Sequence, residues 1–405
     1  MALIGFLGCW YLQSFSAAFA RVELVPFQVV SNYDLAVLPL FILMATICFN
    51  TGLSSDLYDF AEKLVGRMPG GLAAATILGC GFFSAISASS PATATTMGLV
   101  AIPEMKRHKY SMSLTTGSIA IGGTLGPSIP PSSILILFGI LTELSIGKLF
   151  TATIIPGVTQ AIFYVIVIII ICTIYPNLGP RGPKHTFLER ISSLKKCGEI
   201  IGLIALIIGG LVIGWFTPTE AGAIGAFGAI VFSLIRKRLS WEKFKKSLIE
   251  TLETAGLVYL LLIGAYILMY FTTVTTIPRV LVSFVGNLAL PPYLVMFIII
   301  VGYLILGTVM DSLAMMMLTV PILYPVIVSM GFDGIWFGII VCRVTEVAMV
   351  SPPIGLNLFV TQSIAGVPIS TVYKGIIPFL IADIVQIGLL LAFPTIVLFL
   401  PSVMH

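Results

Sequence analysis

Charged residues are scarce in this sequence: only 9% of its 405 residues are Asp, Glu, Lys or Arg, whereas 58% are hydrophobic and the mean hydropathy is +1.10. This composition excludes a soluble enzyme, a nucleotide-binding module and an extracellular receptor, which need far more polar surface. Only three histidines occur, far apart, which excludes a histidine metal site or proton relay. The six cysteines lack paired spacing, so we interpret them as buried packing residues rather than disulfide or metal ligands. The sequence predicts a membrane protein.

Long apolar stretches take the place of polar surface. About 20 apolar residues span a bilayer core, so the length allows roughly a dozen segments. The stretches 71–90 and 91–103 adjoin at a polar turn, and only Asp311 separates 293–310 from 312–330. We expect each pair to form a helical hairpin that enters the membrane and returns on the same side, because such breaks are tolerated where the backbone faces protein or a wet cavity. We interpret the first stretch, 2–20, as a shortened span. The alternative, a cleavable signal peptide, is less favoured because no basic residues precede the apolar run.

The basic residues are unevenly distributed along the chain. Seventeen of the 21 Lys and Arg residues lie in or directly after five polar segments, 53–70, 104–110, 177–197, 236–246 and 366–373. If both pairs of stretches are re-entrant hairpins, these five segments share one face, which is cytoplasmic by the positive-inside rule. The net charge of +4 therefore reflects topology and does not indicate nucleic-acid binding. An alternative interpretation of 236–247 is a basic amphipathic surface helix.

Prolines mark an internal repeat. Spacings of 28 and 25 residues occur twice, in Pro103, Pro131 and Pro156 and in Pro325, Pro353 and Pro378. Seven residues after the first proline of each set stand Tyr110 and Phe332, again in register. Each unit predicts a hairpin, a broken helix and a long helix, and the charge distribution places the two units in opposite orientations. Inverted repeats with discontinuous helices are typical of secondary transporters, which bind substrate near the membrane midplane.

The predicted fold is an all-α polytopic membrane protein with two inverted repeats, each containing a re-entrant helical hairpin and a broken helix. The predicted division is N-terminal scaffold helices at 1–70, the first repeat at 71–176, central scaffold helices with basic cytoplasmic loops at 177–290 and the second repeat at 291–405. In the central part, AGAIGAFGAI at 221–230 carries glycines three apart, which indicates close helix packing.

The first hairpin tip reads SAISASSPATATT at 84–96, a cluster of hydroxyl and small residues in an apolar segment. Hydroxyl and freed carbonyl oxygens suit a hard monovalent cation such as Na⁺, while the half-helix that begins at Pro91 offers N–H groups to an anion. The nearby break GGTLGPSIPPSS at 122–133 combines glycines that allow irregular backbone with prolines that remove donors. The alternative interpretation of the hydroxyls is adhesion between membrane helices.

The second unit adds charged residues to the same pattern. Its hairpin tip, GTVMDS at 307–312, contains Asp311, and its break is SPPIGLN at 351–357. A carboxylate at the bilayer centre costs about 2.5–3.5 kcal/mol, so Asp311 needs a cation or the N–H groups of the next helix. Arg343 and Glu346 stand three apart and share a helix face, so an ion pair between them and a substrate contact are both hypotheses. Asp383, in the last long apolar stretch, has no evident partner in the sequence.

At these tips and breaks the sequence resembles the large membrane subunit of tripartite ATP-independent periplasmic (TRAP) transporters, the DctM-like permeases. The resemblance covers nearly the whole chain from about residue 35 and rests on SAISASSPATATTMGLVAIPEM, GGTLGPSIPPSSILILFGILTELSIGKLFTATIIPG, GTVMDSLAMMMLTVPILYP and SPPIGLNLFV. The sequence departs from the family in two places. Gly is usual where Ala88 stands, and the N-terminal helix is normally longer than 2–20.

The resemblance implies an elevator-type, Na⁺-driven importer of small organic acids, such as C4-dicarboxylates or sialic acid, in the inner membrane of a bacterium or archaeon. It also implies two partners, a small four-helix membrane subunit (DctQ-like) and a periplasmic substrate-binding protein (DctP-like). Sodium ions are then expected at Ser87, Ser89, Ser90, Thr93, Gly126, Asp311, Ser312, Ser351, Pro352, Gly355 and Asn357. The carboxylate substrate is expected at Ser87, Ser89, Pro91, Thr93, Arg343, Pro353 and Asn357.

Two alternative functions are considered. The first, also a transporter, is a stand-alone inverted-repeat ion exchanger, or a carboxylate:cation symporter without a binding protein. An ion-only exchanger needs a titratable group in each hairpin, and the first tip has none. The other is a membrane scaffold subunit without transport activity, which gives no reason for two matched units with broken helices.

Overall fold

The computed structural model describes residues 1–87, 89–182, 186–287, 290–352 and 354–403, and within these ranges the chain is helical without strands. The α-helices in these ranges are α1 (Ala2–Leu12), α2 (Phe15–Ser31), α3 (Val37–Asn50), α4 (Leu53–Val65), α5 (Gly71–Ser87), α6 (Ser90–Arg107), α7 (Met112–Gly123), α8 (Ser133–Thr142), α9 (Ile146–Ile174), α10 (Phe187–Ile213), α11 (Pro218–Ile235), α12 (Trp241–Val274), α13 (Ile277–Asn287), α14 (Pro292–Leu306), α15 (Ser312–Ser329), α16 (Gly334–Ala348), α17 (Leu356–Ala365), α18 (Ile369–Ala392) and α19 (Thr395–Val403). Seven helical segments in the described part of the chain are long and apolar enough to cross a membrane. The prediction of an all-α polytopic membrane protein is confirmed.

Both predicted hairpins are present in the structure. In the first, α5 ends at Ser87 and α6 begins at Ser90, and in the second α14 and α15 are joined by 307–311. Pro91 lies in the first turn of α6, where its missing N–H breaks no intrahelical hydrogen bond. Across the second hairpin, the hydroxyl oxygens of Tyr303 and Thr319 lie 2.5 Å apart, so its two arms are neighbours.

The two in-register aromatic residues occupy matching places at the open ends of the hairpins. Tyr110 accepts a hydrogen bond from the Leu72 N–H at 3.1 Å and donates one to the Pro180 carbonyl at 2.5 Å. Burial raises the pKa of Tyr110 to about 12, so its hydroxyl stays protonated and can donate. The Phe332 ring lies 5.4 Å from the Tyr293 ring. Each aromatic side chain therefore contacts the first turn of the helix that opens its hairpin.

The two units contain the same elements in the same order. The broken helix of the first unit consists of α7 and α8, interrupted between Gly123 and Ser133 around a short 3-10 turn. That of the second consists of α16 and α17, interrupted between Ala348 and Leu356. The long helices α9 and α18 follow these breaks, so the predicted order of hairpin, broken helix and long helix is confirmed.

The beginning of the chain differs from the single helix predicted over 2–20. It forms two helices, because the Ser14 side chain accepts a hydrogen bond from the Ala17 N–H at 3.1 Å and caps α2 as a new helix. The Phe15 ring then packs edge-on against Trp10, with centroids 5.3 Å apart. The separate surface helix considered for 236–247 is also absent, since Ser240 caps the long helix α12 and the basic residues after it form the first turns of that helix.

Hydrogen bonds and ion pairs bring the five basic segments together at one end of the molecule. These contacts are Gly70 N to Gly179 O (3.1 Å), Gly182 N to Gly66 O (2.9 Å), Ser111 N to Leu178 O (3.0 Å), Arg236 to Asp56 (2.9 Å), Arg236 to Glu199 (2.6 Å) and Lys106 Nζ to Ala365 O (3.5 Å). The expectation that these segments share one face is therefore confirmed. A fully crossing hairpin would have separated them.

Glycines let several helices approach closely. A Cβ atom at Gly222 would lie 3.0 Å from the Leu40 side chain, and one at Gly225 would lie 2.6 Å from the Met44 sulfur, so α11 packs tightly on α3. This confirms the packing role predicted for 221–230. Gly117 and Gly375 meet where α7 crosses α18, leaving no room for a Cβ atom at either position. The α7–α18 crossing joins the two repeats into one packed body.

Candidate functional site

A cavity of about 480 Å³ lies between the two hairpin tips and the helices α3 and α12. One side consists of residues from the tips, the first break and α16, namely Phe83, Ser87, Ser89, Ser90, Pro91, Ala92, Thr95, Thr96, Pro127, Ser133, Ile134, Asp311, Ser312, Leu313, Glu346 and Met349. The opposite side consists of Leu38, Ile42, Ala45, Thr46, Phe49, Thr254 and Val258. The cavity thus has a hydroxyl-rich wall at the tips and a mainly apolar wall on the facing helices.

The charged groups of this cavity are all acidic. Asp311 and Glu346 are the carboxylates among its described lining residues, which include no Lys, Arg or His. Like charges repel strongly where water is scarce, so an anion entering this space meets an unfavourable potential unless cations accompany it.

The hydroxyls of the first tip are arranged around the start of α6. The Ser87 and Thr93 hydroxyl oxygens lie 2.6 Å apart, and Thr93 donates to the Ser89 carbonyl at 2.8 Å. Ser89 is the N-cap residue, but no side-chain capping bond is made there within the described part of the chain. The first N–H groups of α6, beside Pro91, therefore remain available to a ligand. Ala88, the departure from the family pattern, lies outside the described residues.

The first break contacts this tip directly. A Cβ atom at Gly126 would lie 3.0 Å from both the Ser89 carbonyl oxygen and the Ser90 nitrogen. Glycine is required for this approach, because any larger residue would displace the tip. The structure thus brings Gly126 together with the hydroxyl residues with which the resemblance grouped it.

In the second tip Asp311 caps α15. One of its carboxylate oxygens accepts hydrogen bonds from the Leu313 N–H at 2.7 Å and the Ala314 N–H at 3.3 Å. The Ser312 hydroxyl donates to a Glu346 carboxylate oxygen at 3.0 Å. The N-cap role considered for Asp311 is therefore confirmed, and the carboxylate also lines the cavity.

The second break reaches the first tip through one side chain. The Asn357 amide nitrogen donates to the Ser90 hydroxyl at 2.6 Å, and Asn357 is fully buried. Ser351 donates to the Val347 carbonyl at 2.7 Å, and neither it nor Pro352 nor Gly355 is among the described residues lining the cavity. Pro353, a predicted substrate contact, lies outside the described residues.

Arg343 does not pair with Glu346, although the spacing favoured that pair. Its guanidinium forms an ion pair with Asp383 at 3.2 Å and donates to Gln386 at 3.1 Å and Ser128 at 2.6 Å. The reason is helix packing, since α18 and the first break present acceptors on the side of α16 to which Arg343 extends. Arg343 is fully buried and is not a lining residue of the cavity.

Asp383 has partners on three sides. Besides Arg343, Gln160 donates to it at 2.6 Å and Tyr164 at 2.6 Å, both from α9. Sequence reasoning missed this network, although polar residues spaced four apart on α9 and three apart on α18, at Asp383 and Gln386, were a visible signal. Glu346 was expected either to pair with Arg343 or to contact substrate with it, but it was not selected as an ion-site residue, and the structure places it in the cavity lining.

Comparison with known proteins identifies the family. Residues 1–396 match the family described as "Tripartite ATP-independent periplasmic transporter, DctM component". The chain is 32% identical over 377 residues to the C4-dicarboxylate TRAP transporter large permease protein DctM of Pseudomonas aeruginosa, covering 93% of this chain and 88% of the relative. It is 30% identical over 378 residues to the sialic acid TRAP transporter large permease protein SiaM of Vibrio cholerae, covering 92% and 87%.

A solved structure shows the same fold at low sequence identity. The YdaH transporter of Alcanivorax borkumensis superposes with a TM-score of 0.67 at 12% identity, covering 95% of this chain and 90% of that one. The family is one of transporters rather than enzymes. We conclude that this chain is a multi-pass membrane protein that belongs to the DctM component family of tripartite ATP-independent periplasmic transporters.

Proposed function

We propose that the chain is the large permease subunit of a Na⁺-driven importer of small organic acids, and that it works by an elevator movement. The observation that carries this proposal is the cavity between the hairpin tips and α3/α12, with carboxylates and hydroxyls but no basic side chain among its described lining residues. The relatives' names specify a C4-dicarboxylate and a sialic acid, so the proposed substrate class is a small carboxylate.

The substrate carboxylate binds at the start of α6, next to Pro91. The N–H groups there have no capping side chain among the described residues, whereas those of α15 are already occupied by Asp311. Oriented N–H groups attract an anion without burying a full positive charge. The two hairpin tips therefore have different roles in this proposal. The first tip binds the anion, and the second tip carries the negative charge of Asp311.

Sodium coupling follows from the sign of the cavity charge. Two like unit charges about 6 Å apart repel by about 3 kcal/mol at an effective dielectric constant of about 20. An anionic substrate therefore binds well only after cations have neutralised Asp311 and Glu346. Proposed ion ligands are the hydroxyl and carbonyl oxygens of Ser87, Ser89 and Ser90 on one side and Asp311 with Ser312 on the other.

The elevator movement is proposed from the way the cavity is divided. The ligand-binding atoms belong to the two repeats, which pack against each other at Gly117 and Gly375, while α3 and α12 close the opposite wall. A site fixed within one rigid body changes sides only if that body slides past its neighbours. We propose that the repeats form the moving body and that α3, α11 and α12 belong to the scaffold.

The two units are proposed to be inverted. Tyr110, at the open end of the first hairpin, is bonded to the segment 177–197 at the basic end of the molecule. At the open end of the second hairpin, a Cβ atom at Gly334 would lie 3.2 Å from the Leu144 side chain. The broken helix α7–α8 separates Tyr110 from Leu144, which supports opposite orientations of the two hairpins.

Partners complete the proposed importer. The family name describes a tripartite system, and the resemblance implies a small membrane subunit and a periplasmic substrate-binding protein in the bacterial inner membrane. The test is uptake of labelled C4-dicarboxylates and sialic acid into proteoliposomes that contain this chain, the small subunit and the binding protein, with and without an inward Na⁺ gradient. Saturable uptake by the large subunit alone would identify a stand-alone carrier instead, and uptake indifferent to Na⁺ would remove the proposed coupling.

A further inference from the structure

We infer that Glu346 is a ligand of a monovalent cation, in a site shared by both repeats and completed by Asn357, Ser90 and Ser312. The inference deepens the proposed function and rests on it, because it assigns the coupling ion to a carboxylate that the sequence pattern did not select. Three observations support it: an unpaired carboxylate oxygen, an unpaired amide oxygen, and a serine hydroxyl that connects the two side chains.

Glu346 is a buried carboxylate that forms no ion pair with a basic side chain of the described residues. It is fully buried on α16 yet lines the cavity, and one of its oxygens accepts the Ser312 hydroxyl at 3.0 Å. The other oxygen, Oε2, has no hydrogen-bond partner among the described residues. Arg343, one turn earlier, is committed to Asp383. Buried charges are normally paired, so a carboxylate oxygen without a protein partner that faces a cavity is suited to binding a cation.

Asn357 supplies a second unpaired oxygen, on a side chain that is bonded to Ser90. Its amide nitrogen donates to the Ser90 hydroxyl at 2.6 Å, while its Oδ1 has no partner within the described part of the chain. Because the Ser90 oxygen accepts this bond, its own hydrogen is free to be donated, and the Glu346 carboxylate is close enough to interact with it. A single hydroxyl group therefore links the two side chains whose oxygens are unpaired.

The ligand chemistry favours Na⁺ over a divalent metal. All four side chains offer oxygen, and only one of them carries a charge. No group of three or more His, Cys, Asp or Glu residues is found in the part of the chain that the structure describes, whereas divalent sites commonly collect several carboxylates. One carboxylate with neutral oxygens matches a single positive charge, as in transporter sites where freed backbone oxygens coordinate Na⁺.

The position of this site explains how an ion there assists substrate binding. Ser90 belongs to the first repeat and Ser312, Glu346 and Asn357 to the second, so the bound cation connects the two repeats. Ser90 and Pro91 are adjacent and both line the cavity, so the cation also lies beside the start of α6, where the substrate carboxylate is proposed to bind. Occupancy by Na⁺ neutralises Glu346, one of the two cavity carboxylates that oppose the anion.

The test measures binding of ²²Na⁺ alone to the purified large subunit, in complex with its small subunit, at constant pH and ionic strength. Glu346→Gln keeps the shape of the side chain and removes its charge. We expect this variant to bind about one fewer Na⁺ per chain, or to need at least about tenfold more Na⁺ for half-saturation. Glu253→Gln, an exposed carboxylate on α12, is the matched control and should bind as wild type does.

A second variant and a second measurement keep the inference falsifiable if Glu346→Gln is poorly folded. Asn357→Ala removes only the neutral oxygen and should raise the half-saturating Na⁺ concentration several-fold, and Na⁺ should raise the melting temperature of the wild type more than that of either variant. Wild-type binding in both variants would overturn the inference and leave the proposed importer intact. Loss of the pH dependence of uptake in Glu346→Gln, with Na⁺ binding unchanged, would also overturn it by assigning a proton to this carboxyl. Failure of the wild type to bind Na⁺ would instead overturn the Na⁺ coupling itself.

Discussion

The buried pair of Arg343 and Asp383 should contribute to stability and not to ligand binding. Replacing Asp383 by Asn removes the ion pair at 3.2 Å and leaves the guanidinium with only the neutral acceptors on Ser128, Gln386 and the Thr124 carbonyl. Breaking a buried pair by removing one partner costs about 3–5 kcal/mol, because the remaining charge is uncompensated. We expect a loss of this size in the free energy of unfolding.

The loss is measured by unfolding the purified protein in mixed micelles with increasing SDS mole fraction, with circular dichroism as the readout. Asp59→Asn, which breaks the partly exposed Lys63–Asp59 pair at 2.7 Å, is the control and should cost no more than about 1 kcal/mol. The double variant Arg343→Met with Asp383→Asn should lose less than the sum of the single variants, because both charges are then absent.

The same variants separate a structural role of Arg343 from substrate binding. Arg343 does not line the cavity, so the fraction of protein that remains folded should keep its half-saturating concentrations for substrate and for Na⁺. A loss below about 1 kcal/mol in the single variants would refute the reasoning, since it would equal that of a surface pair. A large rise in the substrate concentration for half-maximal uptake, with stability unchanged, would make Arg343 a substrate ligand after all.

Three further predictions concern topology, packing and movement. Arg107→Cys should react with an impermeant thiol reagent only from the cytoplasmic side, and labelling from outside intact cells would contradict the assigned orientation. Gly225→Leu should weaken the α3–α11 packing and lower the melting temperature, because its side chain would collide with the sulfur of Met44, whereas Gly256→Leu, at a glycine with open space around it, should not. A thiol crosslinker joining cysteines at Ala92 and Thr254 across the cavity should arrest uptake, and full transport by quantitatively crosslinked protein would favour a movement without sliding.

The hairpins and breaks could be predicted because their signals are local. A proline next to serines, or a single aspartate in an apolar run, favours a helix boundary through local interactions that do not depend on distant parts of the chain. In the structure, α5 ends at Ser87 and α15 begins at Ser312. The common face of the basic segments could also be predicted, because it follows from counting crossings. The division of the first stretch was not predicted, because Ser14 lies in a largely apolar run and its capping bond to the Ala17 N–H is visible only in the structure.

The partners of buried charges could not be predicted in this way. Spacing along one helix shows that Arg343 and Glu346 share a face, but it does not show which other helix lies against that face. Asp383 is 40 residues further along the chain, and only the packing of α18 against α16 brings it to the guanidinium. Arg343 therefore pairs with Asp383 on α18 rather than with Glu346 on its own helix. The same helix α18 also provides Gln386, whose side-chain oxygen accepts a second hydrogen bond from Arg343.

This choice of partner determines which carboxylate is available for function. Arg343 is the basic residue of α16, and two fully buried carboxylates lie near it. Glu346 is on the same helix, and Asp383 is on α18, which packs against α16. Asp383 receives the positive charge of Arg343 together with hydrogen bonds from Gln160 and Tyr164, all on one carboxylate oxygen, while its other oxygen has no hydrogen-bond partner among the described residues. Its negative charge is therefore balanced within the protein by Arg343. Glu346 receives only hydroxyl groups and faces the cavity. A carboxylate whose counter-charge is built in can only hold helices together, whereas one that lacks it must take a cation from solution, and an ion that arrives and leaves is what coupling requires.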